Sequence, residues 1–553
     1  MSATLATRRD FPLVEASVAT AIAASVAVLL VGFGPPGSDM AAHVYQRSLF
    51  AEHGFALWNN LWYSGRYSFV TYSLVYYPLA ALVGIRVLAV STIAVAALAF
   101  STLVWRQWGA EARWAARSFA PVLAACVLSA AFPFLLGVAL ALLALCALQA
   151  GASWQFAALV GLTASASPVA LLLLVVVVAG CGLARVRTRS YVLPAAAVGV
   201  AGLVEIALRR MFPTGGRYPF SGEEFLAAAL FCGIGLGVTW RVERARPLRL
   251  IFPVYFAACA AAWAIPSGLG ENVCRLRFVA IPLAMLALSL RRWRPVWMAV
   301  PVAALACSWN VTPLIASYAK ASTDPSASAR FWQPAVGFFR SHLSPSYRVE
   351  AVDTVGHWEA VYLPEAGIPL VRGWFRQDDF PQNDLLYGKP GGRAYRSWLR
   401  GLGVKYVVLT AAPVDYSARR EAALLAARTS GLVPVFRTKT TTIYRVPSPR
   451  AIVAGPGRPQ VIALTDAAIR LRLTQPGLYR VAVRYSPYWK TRGGCVAPRQ
   501  DGMTELATRR SGFVSLRFDV TVRRALDALR GDTGSTCPGG SPGDEVRHGK
   551  GVS

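Results

Sequence analysis

Charge is scarce in this chain of 553 residues: Asp, Glu, Lys and Arg together make up 15% of it, against 55% apolar residues. That balance excludes a single water-soluble core as the whole explanation. Acids are scarcer than bases, 28 against 57, which leaves a net charge of +29. Such an excess suits a nucleic-acid binder only when Lys and Arg interleave with stacking aromatics on one module. Here they are spread along loops, so no nucleic-acid partner is expected and the excess reads as membrane-flanking charge. No P-loop, H-E-x-x-H, C-x-x-C pair or G-x-S-x-G occurs in a fitting context, so phosphate-loop, zincin and serine-hydrolase chemistries have no support. A repeat of fixed period is also missing. Thr7-Arg8-Arg9-Asp10-Phe11 has the outline of a twin-arginine signal but lacks a small-residue cleavage site, and reads as a basic flank before an uncleaved helix. Seven of the nine cysteines sit in or beside apolar segments, where Cys is an ordinary small hydrophobe. Cys495 and Cys537 are the exceptions: they pair if their part of the chain is outside the cell, or Cys537 stays loose in a Gly-rich tail.

What is present is a series of apolar segments of roughly 15 to 20 residues between Val14 and Ile315, each near the length needed to cross about 30 Å of hydrocarbon. The first runs from Val14 to Phe33. A polar, aromatic loop follows from Gly34 to Ser68, and Phe69 to Gly84, broken by Pro78, reads as interfacial or re-entrant. Arg86 to Leu103 is the next span. Basic clusters at Arg106, Arg113 and Arg117, at Arg185 to Arg189, at Arg241 to Arg249 and at Arg291 to Arg294 are assigned to the cytoplasm by the positive-inside rule. Four short spans, near 118–131, 133–150, 154–166 and 168–184, fit between the first two clusters, and a pair fits between each later two. The sum is about 11 spans with the N-terminus inside. On that arrangement Gly34 to Ser68, Arg209 to Phe225, Pro266 to Asn272 and everything after about residue 318 face outward. Arg209, Arg210, Arg217 and Arg275 then place positive charge on the side that normally carries little, either as an error in the count or as cations kept for an anionic ligand.

From 319 to 446, helical stretches (Ala329 to His342, Arg393 to Gly401, Tyr416 to Ser430) mix with short strands such as Tyr406 to Leu409, which predicts a small α/β domain. From 447 to 525, alternation in Ala468 to Leu473, Gly477 to Tyr485 and Gly512 to Val522 predicts a β-sandwich. The Gly, Ser, Pro and Asp content from 526 to 553 predicts disorder.

The first outer loop holds the densest chemistry. Asp39 follows Pro35-Pro36-Gly37-Ser38 at the end of the first span, and His43 lies one helical turn on, on the same face. A carboxylate and an imidazole at a membrane surface, near Trp58, Asn59, Trp62 and Tyr63, suit binding a polar substrate and removing a proton. The competing reading makes Asp39 a helix N-cap and the aromatics an interfacial belt. Glu223 and Glu224 suit acids supporting the site or metal ligands. Asn272, Arg275 and Arg277, with Arg209, Arg210 and Arg217, suit a lipid phosphate or simply anionic headgroups, and Glu271 with Arg275 also has the spacing of a plain helix ion pair. His357, Trp358, Glu359, Arg372, Trp374, Arg376, Gln377 and Asp378 are the residue types found where saccharides dock, or a satisfied polar network inside the domain.

An Asp directly after the first span, opening a long outer loop in a multi-span protein with an outer C-terminal domain, resembles the GT-C superfamily of polyprenyl-phosphate-sugar-dependent glycosyltransferases. Gly54-Phe55-Ala56-Leu57-Trp58-Asn59, Tyr72 to Pro78, Gly270-Glu271-Asn272-Val273-Cys274-Arg275-Leu276, His357-Trp358-Glu359-Ala360 with Arg372-Gly373-Trp374, and Ser486-Pro487-Tyr488-Trp489 resemble a group of large actinobacterial membrane proteins that shares features with YfhO-like and pyruvoyl-tetrahydropterin-synthase-related membrane proteins. The resemblance implies a polytopic α-helical membrane protein, GT-C-like, with a C-terminal extracytoplasmic α/β plus β-sandwich region, multi-pass in the plasma membrane. It implies that Asp39 deprotonates an acceptor hydroxyl, or orients a metal or the acceptor, while a lipid phosphate leaves the sugar. Many GT-C members carry an adjacent acidic pair where this chain has Ser38-Asp39, which leaves a divalent cation an open question. The expected partners are the bilayer, a polyprenyl-phosphate sugar and a cell-envelope glycan or lipid acceptor. The alternative is a non-catalytic transport or assembly protein that binds envelope glycan or lipid.

Overall fold

The computed structural model describes residues 3–184, 192–214, 216–532 and 534–537. The basic cluster at Arg185 to Arg189 and the tail beyond Cys537 lie outside them. The chain divides into two compact units, neither of which is continuous in sequence: residues 1–43, 72–206 and 216–323 form one, and residues 44–71, 207–215 and 324–553 the other.

The first unit is helical and multi-pass. Among the described residues, eight helical stretches are long and apolar enough to cross a membrane, and Pro168–Ala184 is a shorter apolar helix. The larger count expected from sequence leans on short segments, and the helices found there are Arg113–Ala125, Phe132–Gln149, Ser153–Ala166 and Pro168–Ala184, of 13, 18, 14 and 17 residues. Length and apolarity alone therefore do not reach eleven. The 44-residue stretch Ile85–Leu128 is interrupted where Gly109 turns out of the helix at φ +65°, a conformation that costs a side-chain-bearing residue more than glycine.

Packing uses small residues. Ala16, Ala19, Ala23 and Ala27 recur every three or four positions on the helix Ala3–Phe33, and none is more than 4% exposed, while Val28 and Leu29 stay open. The alanine stripe lets the helix approach Ile85–Trp108 and Arg113–Ala125 closely, which is how apolar helices associate where lipid removes the hydrophobic driving force. Buried Glu15 forms ion pairs with two cations, Arg113 at 3.0 Å and Arg117 at 2.9 Å.

The second unit holds two β architectures. Arg348–Ala351 pairs parallel with Val404–Thr410, followed in the same four-stranded sheet by antiparallel Thr441–Arg445 and Val433–Arg437. Helices Gly392–Gly401 and Arg419–Ala426 bring Tyr395, Leu399 and Leu425 into a core with Val404 and Val407. Beyond it, two antiparallel four-stranded sheets share one core, to which Ile469, Leu471 and Val514 come from one sheet and Val481, Val483 and Leu506 from the other. Along Ala468–Leu473 the buried Ile469, Leu471 and Leu473 alternate with exposed Arg470 and Arg472, the period-two pattern of a half-buried strand.

Two differences from the sequence reading follow. Val44–Thr71 packs with this β-rich unit, its short hairpin Trp58–Asn59 against Arg66–Tyr67 lying in the sandwich core beside Phe212. Disorder from residue 526 is also not found over the described part: Val522–Leu529 is a helix capped by the Thr521 side chain, and Cys537 is bonded to Cys495.

Candidate functional site

In the helical unit the site is built around the turn that follows the first helix. Ser38 and Asp39 lie against Leu128 and Ser129: the Ser38 and Asp39 N–H groups donate to the Leu128 and Ser129 carbonyls at 3.2 and 3.0 Å, and the Ser38 hydroxyl donates to the Ser129 carbonyl at 3.1 Å. Gly37 permits the approach, since a Cβ there would sit 2.5 Å from the Val127 oxygen and 2.6 Å from the Ala130 Cβ. Asp39 is thereby held half-buried just before the helix Met40–His53.

His43, one turn on, is fully buried among Tyr72, Tyr76, Tyr77 and Phe132, with Nδ1 3.3 Å from the Tyr77 hydroxyl. Burial drives its imidazole down to about 3 against the opposing effect of the Ala130 backbone, so the ring is neutral in ordinary buffers. The hydroxyl of Tyr72 is held above the usual phenol range, first by burial and then by the negative charge of Asp39, with Arg275 pulling the other way. Tyr72 therefore lies within the electrostatic reach of both an acid and a base.

Arg275 sits in the 3-10 stretch Gly270–Val279, donates to the Asn272 side-chain oxygen at 2.6 Å and lies over the Phe134 ring at 4.7 Å. Arg277 instead pairs with Glu224, whose backbone is capped by Ser221 at the start of the helix Gly222–Thr239. Glu223, Arg209, Arg210 and Arg217 are exposed.

An apolar cavity of about 270 Å³ runs along the helix Phe132–Gln149. Cys126, Ser129, Phe134 and Arg275 line one end, Trp108, Gln149 and Pro247 the other, and Val138, Leu142 and Leu286 the middle. The residues of that helix that line the cavity run from Phe134 to Gln149, about 22 Å at 1.5 Å per residue. The cavity's arginine end is also the end where Ser129 holds Asp39. Sequence reading proposed Asp39 and Arg275 separately; it missed Tyr72 and Ser129, whose only signal is an aromatic or small polar residue at a segment end.

In the β-rich unit, Trp58, Asn59, Trp62 and Tyr63 are each at most 1% exposed. Trp58 stacks on Phe518 and donates to Asn60 at 2.7 Å, Asn59 donates to the Tyr45 hydroxyl at 3.1 Å, and Trp62 donates to the Ala360 carbonyl at 2.9 Å. Close packing of Gly373 against Trp62 and Tyr63 leaves no room for even a Cβ, which would fall 2.8 Å from each ring. These aromatics serve the core, and no sugar face is open on them.

Trp358 is also buried, stacked on Tyr362, whereas Trp374 is half-buried. Arg372 binds Asp353 and Asp379, both at 2.8 Å, and Arg66 binds Asp378 at 2.7 Å. His357, at 7% exposure, faces Asp353, Glu359 and Asp415. Burial lowers its basicity, yet Glu359, Asp353 and Asp415 more than offset this and leave the imidazole raised to about 9. Sequence reading named His357, Glu359 and Arg372 but not Asp353 or Asp415; the D-x-x-x-H-x-E spacing from Asp353 to Glu359 was the available signal.

No family model matches the chain, and no curated protein does. Among the solved structures that align with it are three of the arabinofuranosyltransferase AftD from Mycobacteria. One matches at 14% identity and a TM-score of 0.45, over 93% of this chain and 57% of that one. Two classes of a variant of that enzyme match at 15% identity, one with a TM-score of 0.44 over 93% of this chain and 60% of the other. The second has a TM-score of 0.46, over 91% of this chain and 59% of the other. The chain thus spans less than two thirds of the length of the structures it aligns with.

Proposed function

We propose that the chain is a membrane glycosyltransferase that moves a sugar from a polyprenyl-phosphate donor to a cell-envelope acceptor on the extracytoplasmic face, with the N-terminus in the cytoplasm. The observation that carries this is the apolar cavity along Phe132–Gln149, with Arg275 at the same end as the carboxylate of Asp39. An isoprenoid tail fits a long, dry, leucine- and phenylalanine-lined space. An arginine at its mouth suits the phosphate.

In this reading Asp39 accepts the proton of the acceptor hydroxyl, the freed oxygen attacks the anomeric carbon, and the carbon–oxygen bond to phosphate breaks. The bonding electrons stay on the departing lipid phosphate, whose charge Arg275 offsets. Asp39 is favoured over His43 as the base because His43 is enclosed, with no open face toward a substrate. Glu224 and Arg277 form an ion pair and are read as support for the Gly270–Val279 stretch. The exposed Glu223 remains a candidate for acceptor contact.

The test is complementation of a deletion strain with wild type and Asp39→Asn at matched membrane abundance, followed by mass spectrometry of envelope glycans and polyprenyl-phosphate sugars. The deletion is expected to lose a glycan and accumulate a donor, and Asp39→Asn to restore neither. Full rescue by Asp39→Asn would overturn the assignment and favour an assembly role.

A further inference from the structure

We infer that Asp353, His357 and Glu359 form the inner ligands of a divalent transition-metal site, of the Zn²⁺ or Mn²⁺ class, inside the α/β part of the second unit. One ligand atom from each lies within 4.8 Å of the other two, and all three residues are buried. Nδ1 of His357 is buried and makes no hydrogen bond. It lies 3.5 Å from Glu359 Oε1 and 3.8 Å from Asp353 Oδ2, too far for a hydrogen bond to either. Those separations are near the span of about 3.3–3.6 Å between two ligands that share an ion tetrahedrally at about 2.0–2.2 Å.

The surrounding contacts are those that orient metal ligands. Glu359 accepts from the Thr354 N–H at 3.2 Å and the Thr354 hydroxyl at 2.7 Å, and Asp353 forms an ion pair with Arg372 at 2.8 Å. Behind the ring, Asp415 Oδ1 lies 3.8 Å from Nε2 of His357, a carboxylate on the far nitrogen of the imidazole. The His357 backbone is held at φ +52°, which a non-glycine residue adopts at a cost and which aims the ring.

Charge points the same way. Arg372 pairs with Asp353 and Asp379, and Arg376 with Asp415, while Glu359 pairs with neither; with all four carboxylates ionised, two negative charges are left that one divalent ion would cancel with the imidazole neutral. Asp415 and Arg376 are 12% and 16% exposed, so the cluster lies just beneath the surface, where an ion has a short way in. Nothing in this site depends on the transferase reading.

The experiment uses the full chain purified in detergent through a tag that binds no metal. Elemental analysis is expected to find about one Zn or Mn per chain. Stripping with a chelator should lower the melting temperature, and ZnCl₂ or MnCl₂ should restore it. His357→Gln and Asp353→Asn should each weaken binding by roughly 10-fold or more. If either variant fails to fold, the stripping and reloading of the wild type decides alone. A wild-type protein that holds no stoichiometric metal, and whose melting temperature ignores both salts, would overturn the site and leave His357 as an imidazolium among carboxylates.

Discussion

A carboxylate and an imidazole four residues apart on one helical face invite assignment as an acid–base pair, yet their surroundings separate Asp39 from His43. Asp39 is bonded through its backbone to Ser129, which lines one end of a cavity together with Arg275, whereas His43 is enclosed by three tyrosines and a phenylalanine. With its titration pushed down to about 3, His43 stays neutral from pH 5 to pH 9, so the pH profile of any transfer activity should carry no limb that disappears in His43→Phe. His43→Ala should act through the void it leaves, costing stability on the order of 2–4 kcal/mol, measured as reduced melting temperature in detergent. A limb near pH 6 that vanishes in His43→Phe would return the imidazole to the reaction. The sequence pattern marked both residues equally because spacing reports a shared face and says nothing of what encloses it.

Among the elements, the strand Arg348–Ala351 and the helices Gly392–Gly401 and Arg419–Ala426 bring Glu350, Tyr395 and Glu421 into one buried core. Glu421 accepts from Tyr395 at 2.5 Å, and both oxygens of Glu350 are buried without a hydrogen bond. Burial pushes Glu421 up to about 7, with Arg372 and the Tyr395 hydroxyl opposing and Asp379 adding to the rise; burial and Glu421 push Glu350 the same way. A carboxyl raised in the folded state binds its proton more tightly there than in the unfolded chain. Its contribution is therefore complete below about pH 4.5 and is lost as pH climbs through about 7. The melting temperature of the second unit should fall across that window, by about 2–4 °C per kcal/mol lost, and Glu421→Gln should flatten the fall. An unchanged slope in Glu421→Gln would show that Glu421 is not the group responsible.

At this scale much was legible. Apolar runs located the spanning helices, and alternation located Ala468–Leu473. The destination of Trp58, Trp62 and Tyr67 was not: an aromatic run after a membrane span has the composition of an interfacial belt, and its partners, such as Phe518, lie some 450 residues further along the chain.

The division of the whole molecule into two interleaved units follows from those long-range contacts. The second unit is assembled from residues 44–71, 207–215 and 324–553, and Trp58, Tyr67 and Phe212 are integral to its sandwich core. A fragment beginning at residue 324 should therefore lack three large core side chains and be loosely packed, with broad amide NMR signals and dye-accessible apolar surface. Adding a peptide of residues 44–71 should tighten it. A fragment that is well ordered without the peptide would show these insertions to be dispensable.

The same interleaving imposes an order on biogenesis. At about 5–20 residues per second, the aromatic hairpin near residue 60 waits roughly 20–90 s after synthesis before the strands that enclose it exist. Through that interval its indole and phenol rings lack the core that encloses them, and exposed apolar surface of that kind is prone to aggregation. The long interval should make folding sensitive to whatever shields nascent loops, and premature termination before the last strands should leave a product whose aromatic hairpin lacks its core.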